Sequence, residues 1–344
     1  GGGVGGVRGG FLVWGGALPF QARIDPAQLE HLGYNPALGG LNLNFNRVHF
    51  EWRRAGGDWQ LALDARSERY RPPVSVARVA VADRELPVFT YADGGDTDRW
   101  TVARAALGDG GSRWLPVRHP ALYAGEVMRS FAVAEGIDLP APREVEDLPA
   151  GAEVARWESP PLDRMLAEML EYSTNITAEV LGLRASLARG LRPQTLAQSA
   201  DAQVRWAREV LGVEVALTDH SGLNDDSRVA AREMVLALVG GGRQVAGLMR
   251  RIEMTDAEGE PLVPQPAEVV AKTGTLNFVS CLAGRLRNRR GADLAFAIFS
   301  AEPERRARAI ASGEEVPEGV PEWAASARRL QQVLLRRWAA GWPA

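Results

Sequence analysis

The sequence predicts an α+β protein in which an antiparallel sheet packs against flanking helices, with a β-rich region ahead of it. Three features predict this. Up to about residue 120 the apolar residues come in short runs of period 2, broken by Gly, Pro and Asp turns. Beyond about residue 152, apolar stripes at helical spacing take over and lead into three consecutive strand patterns. Between them lies a Pro-rich, acidic stretch, residues 138–151, that reads as a linker. The expected division is a β-rich region over 1–150 and a second domain over 151–344.

In chain order, Val4, Val7 and Phe11-Leu12-Val13-Trp14 are short apolar pieces among glycines. Leu41 to Asn46 alternates as a half-buried strand does, and Val48, Phe50 and Trp52 continue the pattern. Ala55-Gly56-Gly57-Asp58 turns the chain into Trp59, Leu61 and Leu63. Strands are expected at Val74–Val81 and Trp100–Ala106, completing an antiparallel meander. Leu122, Val127, Phe131 and Val133 suit a helix over 120–135, closed by Gly136. His31 and His49 are isolated and read as structural or surface residues rather than ligands.

In the second part, Glu153–Trp157 reads as a strand, and Ser159 with Pro160-Pro161 can start a helix striped by Leu162, Met165, Leu166, Met169 and Leu170. That helix breaks at Ser173-Thr174-Asn175; another runs to Arg189 and Gly190, and a third spans Leu196–Leu211. Val213, Val215 and Leu217 form a strand ending in the turn Asp219-His220-Ser221-Gly222-Leu223-Asn224. A helix over about 228–239 follows, then strands at Glu268–Thr273, Phe278–Leu286 and Leu294–Ser300. The last helix starts near Pro321, with Trp323, Ala327, Leu330, Leu334 and Trp338 as its expected buried stripe.

Composition excludes several classes. A chain of 344 residues has room for about two domains. Net charge −3 offers no electrostatic reason for a nucleic-acid or anionic-membrane partner. Cys281 is the only cysteine, so no intrachain disulfide can form. The longest apolar runs, such as Leu294–Phe299, are too short for a transmembrane segment. No metal-ligand cluster is visible, and no metal or cofactor is expected. The chain opens at Gly1 on GGGVGGVRGG without Met, which reads as a processed start or a fragment.

Lys272 is the only lysine among the 40 Lys and Arg residues. A chain that uses arginine for every other positive charge keeps one ammonium, the cation that can shift its pKa and exchange protons. It opens Lys272-Thr273-Gly274 at a strand end, after Ser173-Thr174-Asn175 at a helix break and the Asp219–Asn224 turn. Taken singly, these are a helix stop, a turn and a chance triplet. Their order matches the later elements of the serine acyl-transfer signature S-x-x-K, S-x-N, K-T-G.

Residues 119–300 resemble the D-alanyl-D-alanine carboxypeptidase/endopeptidase family of penicillin-binding proteins, of the penicillin-binding protein 4 type. The carrying residues are Ser173-Thr174-Asn175, Ala178-Glu179, Asp219-His220-Ser221-Gly222-Leu223, Lys272-Thr273-Gly274-Thr275-Leu276 and Leu282-Ala283-Gly284. His220 and Asn224 stand where the family usually has Gly and Ser. Residues 42–52 resemble a strand of the non-catalytic region that the family inserts between S-x-x-K and S-x-N. The resemblance implies a β-lactamase/DD-peptidase-like fold for the second domain and a periplasmic location. It implies peptidoglycan stem peptides as substrates and β-lactams as covalent inhibitors.

Carried over by position, Ser173 relays a proton toward the leaving amine with help from Lys272, and Asn175 holds the substrate backbone amide. Lys272 and Thr273 bind the terminal carboxylate, Gly274 leaves room for the ligand, and the Thr275 N–H is an oxyanion-hole donor. One element is missing. Val269 lies three positions before the only lysine, so S-x-x-K, with its nucleophile and base, is not in the chain. The expectation is an N-terminally truncated sequence of an active enzyme, inactive by itself. A non-catalytic homologue that binds peptidoglycan peptides is the alternative. A hydrolase using Ser221 fits poorly, because Asp219-His220-Ser221-Gly222 lacks the first glycine of G-x-S-x-G.

Overall fold

The computed structural model describes residues 6–341, so Val4 and the first glycines lie outside it. The chain divides into two compact units. The first holds the chain up to Ala155 together with Asn175–Ser199 and Asp219–Asn224; the second holds Arg156–Thr174, Ala200–Thr218 and everything from Asp225 on.

The first unit begins with strands β1 (Phe11–Val13), β2 (Arg47–Ala55), β3 (Asp58–Asp64), β4 (Ala77–Ala82), β5 (Phe89–Asp93), β6 (Asp98–Ala103) and β7 (Gly110–Pro116). Helix α1 (Pro120–Ala134) and strand β8 (Pro142–Glu144) follow. The strands associate as β3-β2-β7, β4-β6-β5 and β1-β8. Two pairings depart from the expected antiparallel meander: β4 runs parallel to β6, and β1 parallel to β8. In the first case the β5–β6 hairpin folds back so that β6 takes the central place beside β4. Val48, Phe50, Trp100, Val102, Leu115 and Tyr123 form the core of these sheets.

Leu41–Asn46 is not a strand. Asn44, Phe45 and Asn46 have φ of 49°, 57° and 49°, a left-handed turn. Asparagine tolerates this region and its side chain competes for backbone partners. Here Asn46 Oδ1 accepts the Leu43 N–H at 2.9 Å, Asn46 Nδ2 donates to Ala37 O at 2.9 Å, and Asn42 Nδ2 donates to Gly39 O at 2.6 Å. Helix α1 buries only its N-terminal part, Pro120 to Val127, and leaves Phe131 and Val133 exposed.

The remaining elements are helices α2 (Leu162–Tyr172), α3 (Asn175–Ala188) and α4 (Leu196–Trp206, extended by a wider turn to Leu211), then strands β9 (Val215–Ala216) and β10 (Arg228–Val229). Helices α5 (Ala231–Gly240) and α6 (Gly242–Leu248) lead to β11 (Arg250–Arg251), β12 (Ala267–Leu276), β13 (Val279–Asn288) and β14 (Asp293–Ala301). Helices α7 (Pro303–Ser312) and α8 (Val320–Gly341) close the chain. Glu153–Trp157 forms no strand: Val154 and Trp157 are 91% and 85% exposed, so nothing buries the apolar side of the pattern. Arg228-Val229 pairs with β9, which delays the helix expected from 228 to Ala231.

In the second unit the sheet order is β11-β12-β13-β14, antiparallel throughout. Val269, Ala271, Leu282, Leu286, Phe296 and Ile298 bury one face against Leu335 and Ala339 of α8. The stripe of α8 is turned from the expected one. Ala324, Ala327, Gln331, Leu335 and Ala339 are buried, whereas Leu330 is 48% exposed. The alanines at three of these positions let the helix axis approach the sheet, and the bulky rings flank the contact. Trp338 lies 5.8 Å from Phe296, and Trp323 lies 6.0 Å from Phe278.

Candidate active site

Helix α2 ends at Ser173, which has φ 55° and ψ 50°. A left-handed non-glycine residue costs of order 1 kcal/mol or more, and such strain gathers at functional sites. The Ser173 hydroxyl accepts a 2.8 Å hydrogen bond from Lys272 Nζ. That ammonium also donates to the Thr273 carbonyl. Ser173 and Lys272, 99 residues apart in the chain, thus meet within the second unit.

The strand explains why Lys272 points there. Side chains alternate along β12, and Ala267, Val269 and Ala271 are buried on the α8 face. Lys272 and Gly274 therefore stand on the other face, and Thr273 and Thr275 share the side of Val269. Strand β11 pairs only with Val270 and Ala271, so among the described residues β12 is an edge from Lys272 onward. Burial, with the nearby Arg250 charge second, lowers the Lys272 pKa from its ordinary value. Its partners are a hydroxyl and a carbonyl, which leaves it able to exchange a proton with Ser173 or to meet an incoming carboxylate. Gly274 faces Cys281 across the sheet. A Cβ there would meet only Cys281 Cβ, at 3.4 Å, so sheet packing would accept alanine at this position.

Sequence reasoning missed how the end of this strand is anchored. Phe278 sits in the β12–β13 turn with φ 58° and is buried. The Arg305 guanidinium lies 4.2 Å over its ring, and Glu302 N–H donates to its carbonyl at 3.0 Å. Asn277 Nδ2 donates to Glu315 O at 3.0 Å, while Arg306 donates to Asn277 O at 3.3 Å and pairs with Asp225. In so arginine-rich a chain, nothing in the sequence marks these two arginines.

Asn175 belongs to the first unit, at the start of α3, and its Nδ2 donates to Tyr34 O at 3.0 Å. One turn along α3, Glu179 is fully buried and accepts the N–H groups of His220 at 3.1 Å and Ser221 at 2.9 Å. Burial, with the Asp219 charge adding to it, pushes the Glu179 carboxyl up to about 7 against the pull of these donors. Asp219 closes the turn by accepting the N–H groups of Gly222 and Asn224, both at 2.8 Å. His220 meets Ser199 Oγ at 2.9 Å through Nε2, and burial lowers its pKa to about 4. The imidazole is thus directed at Ser199. The Ser221 hydroxyl lies among the Asp219 and Glu179 carboxyls and accepts the Leu223 N–H at 3.3 Å, the bonding of a turn residue.

His31 stacks on Phe89 with centroids 5.0 Å apart, and His49 meets the Trp114 ring edge-on at 5.0 Å. Among the described residues no group of three or more His, Cys, Asp and Glu side chains could hold a metal ion.

Residues 99–315 match the D-Ala-D-Ala carboxypeptidase 3 (S13) family. Carboxypeptidase Rv3627c of Mycobacterium tuberculosis is 31% identical over 201 residues, an alignment that covers 54% of this chain and 42% of that protein. Carboxypeptidase DacB of Mycolicibacterium smegmatis is 31% identical over 207 residues, covering 53% and 42%. The match thus spans less than half the length of these relatives. The crystal structure of penicillin binding protein 4 from Haemophilus influenzae shares the fold, with TM-score 0.67 at 19% identity, over 97% of this chain and 76% of that one. The same protein complexed with a β-lactam aligns with TM-score 0.61 at 18% identity, over 89% and 72%. With the family match running from β6 to the segment after α7, the chain belongs to the D-Ala-D-Ala carboxypeptidase 3 (S13) family.

Proposed function

We propose that this is a serine-type D-Ala-D-Ala carboxypeptidase or endopeptidase acting on peptidoglycan stem peptides through an acyl-enzyme. The nucleophile and base of S-x-x-K are not among these 344 residues. The observation that carries the reading is the 2.8 Å contact of Lys272 Nζ with Ser173 Oγ. In the proposed reaction the nucleophilic serine oxygen bonds to the penultimate D-Ala carbonyl carbon, and the C–N bond to the terminal D-Ala breaks. The serine proton passes through the base and the Ser173–Lys272 pair to the leaving amine. Water then adds to the ester, releases the shortened peptide and restores the serine.

Lys272 and Thr273 take the terminal carboxylate in this reading, Asn175 takes the substrate backbone amide, and the Thr275 N–H donates to the oxyanion. Gly274 keeps the strand clear for the ligand, in keeping with a position whose packing does not itself require glycine. β-Lactams would acylate the same serine. We read residues 1–150 as a non-catalytic inserted region and 151–344 as part of the peptidase domain. Peptidoglycan as substrate implies a periplasmic location; no helix among the described residues is long and apolar enough to cross a membrane.

Fluorescent penicillin tests this. The 344-residue chain should take no covalent label, because it lacks S-x-x-K. A product that carries S-x-x-K ahead of it should label, and Lys272→Ala should slow that labelling. Covalent labelling of the 344-residue chain, or labelling of the longer product untouched by Lys272→Ala, would overturn the reading. A second reading is a non-catalytic homologue that binds the same peptides. An S-x-x-K encoded upstream in the same reading frame decides for the enzyme.

A further inference from the structure

One buried side chain joins α3 to the Asp219–Asn224 turn. Glu179 follows Asn175 by four residues, so the two share a face of α3. Its carboxyl spans two consecutive N–H groups of the turn, those of His220 and Ser221. The turn is tied to α3 again at Gly182, where a Cβ would lie 2.2 Å from His220 Cγ. Ser199 Oγ, which meets His220 Nε2, also meets Ser186 Oγ at 2.8 Å and Gly182 O at 3.2 Å. The far side of the turn is anchored as well: Asn224 Nδ2 donates to Asp25 Oδ1 at 3.2 Å. All of these residues belong to the first unit.

We propose that Glu179 is a positioning residue for Asn175: its buried carboxyl clamps α3 to the Asp219–Asn224 turn and thereby sets the direction of the Asn175 amide. The relevance of this to catalysis rests on the role proposed for Asn175; the clamp itself does not. The groups facing Glu179 are Asp219, His220 and Ser221 from the turn, with Asp25 beyond Asp219 and the Ser186 and Ser199 hydroxyls near the His220 ring. A carboxyl this buried favours its protonated form, so opening the turn to water becomes easier when Glu179 ionises. The clamp is therefore tightest below the ordinary carboxylate range and loosens as pH rises from there to about 7.

The test uses the 344-residue chain and needs no catalysis, so it can fail while the proposed reaction stands, or succeed while that reaction fails. The side-chain amide resonance of Asn175 and the exchange rates of the His220 and Ser221 amides, corrected for intrinsic exchange, are followed across neutral pH. In the wild type the Asn175 signal should change with a midpoint near 7, and protection of the two amides should fall as pH rises from the carboxylate range to about 7 and level off above it. Glu179→Gln, which cannot ionise, should abolish the step in all three. Glu179→Ala should expose the two amides at least about tenfold by removing their acceptor. An Asn175 signal that stays flat in the wild type, or a step that survives in Glu179→Gln, overturns the proposal. Should Glu179→Ala fail to fold, the wild type and Glu179→Gln decide the matter.

Discussion

Gly182→Ala puts the close approach of α3 and His220 to a quantitative test. In the native structure the added Cβ would lie 2.2–2.3 Å from Cγ, Cδ2 and Nδ1 of the ring. Ordinary carbon contacts lie at about 3.5–4.0 Å, so the ring or the helix must move by more than about 1 Å. Overpacking of this kind costs about 1–3 kcal/mol. Displacing the imidazole from Ser199 Oγ forfeits a buried hydrogen bond worth about 0.5–1.5 kcal/mol. Against this, alanine in a helix interior is better than glycine by about 1 kcal/mol. The net expectation is a loss of about 2 kcal/mol. With His220→Gly in place the ring is gone, and the same Gly182→Ala change should stabilise by up to about 1 kcal/mol. The pair should thus show a coupling of about 3 kcal/mol in a double-mutant cycle. Urea unfolding with hydrogen exchange resolved at α3 and the turn provides the assay. Equal effects of Gly182→Ala in both backgrounds would refute the packing argument.

Other expectations follow from the same structure. Glu179 has a pKa raised in the folded state to about 7, so its contribution to stability is complete below the ordinary carboxylate range and is lost as pH rises through about 7. Asp219 is shifted in the same direction. Stability against urea should fall between about pH 5 and about pH 8 by at most about 3 kcal/mol from Glu179, and a profile equally steep in Glu179→Gln contradicts this assignment. On α8, Leu335→Ala should cost about 2–5 kcal/mol, whereas Leu330→Ala should cost less than about 0.5 kcal/mol. The reverse order in thermal unfolding would restore the stripe expected from sequence.

Much of the second unit was legible because period and punctuation agree there. Strands β12, β13 and β14 are marked by alternating apolar residues and by the Asn288–Gly291 turn; in the first unit, α3 is marked by its start at Asn175 and the glycine at its end. Ser173 and Lys272 stood out in the sequence as residue types in a fixed order, and the structure brings their side chains together. The failures share a physical origin. Leu41–Asn46 has the alternation of a strand, but asparagine side chains satisfied the backbone locally and turned it left-handed. Glu153–Trp157 alternates with no sheet beside it to bury its apolar side. On α8 the bulkiest apolar residues suggested one face, whereas the buried face runs through Ala324, Ala327, Gln331, Leu335 and Ala339.

The role of Glu179 in holding the turn was hidden for another reason. A burial that spans residues 179 and 221 is a tertiary fact: Ala178-Glu179 and Asp219–Leu223 stood among the residues of the family resemblance, but nothing in the sequence joined the one to the other. The Phe278 anchor had no signal in the sequence, because left-handed phenylalanine is not something residue preference points to.

The solitary lysine allows the central claim to be examined without ambiguity. Labelling the 344-residue chain with lysine carrying ¹³C at Cε yields a signal from Lys272 alone. Titrating in an acyl-D-Ala-D-Ala peptide with a free C-terminal carboxylate should move that signal saturably and raise the Lys272 pKa from its lowered value, since a carboxylate favours the ammonium. The same peptide with an amidated C-terminus should leave the signal in place. A signal that ignores both peptides, or follows both alike, would contradict the assignment of Lys272 to the carboxylate-binding wall of an acyl-transfer site.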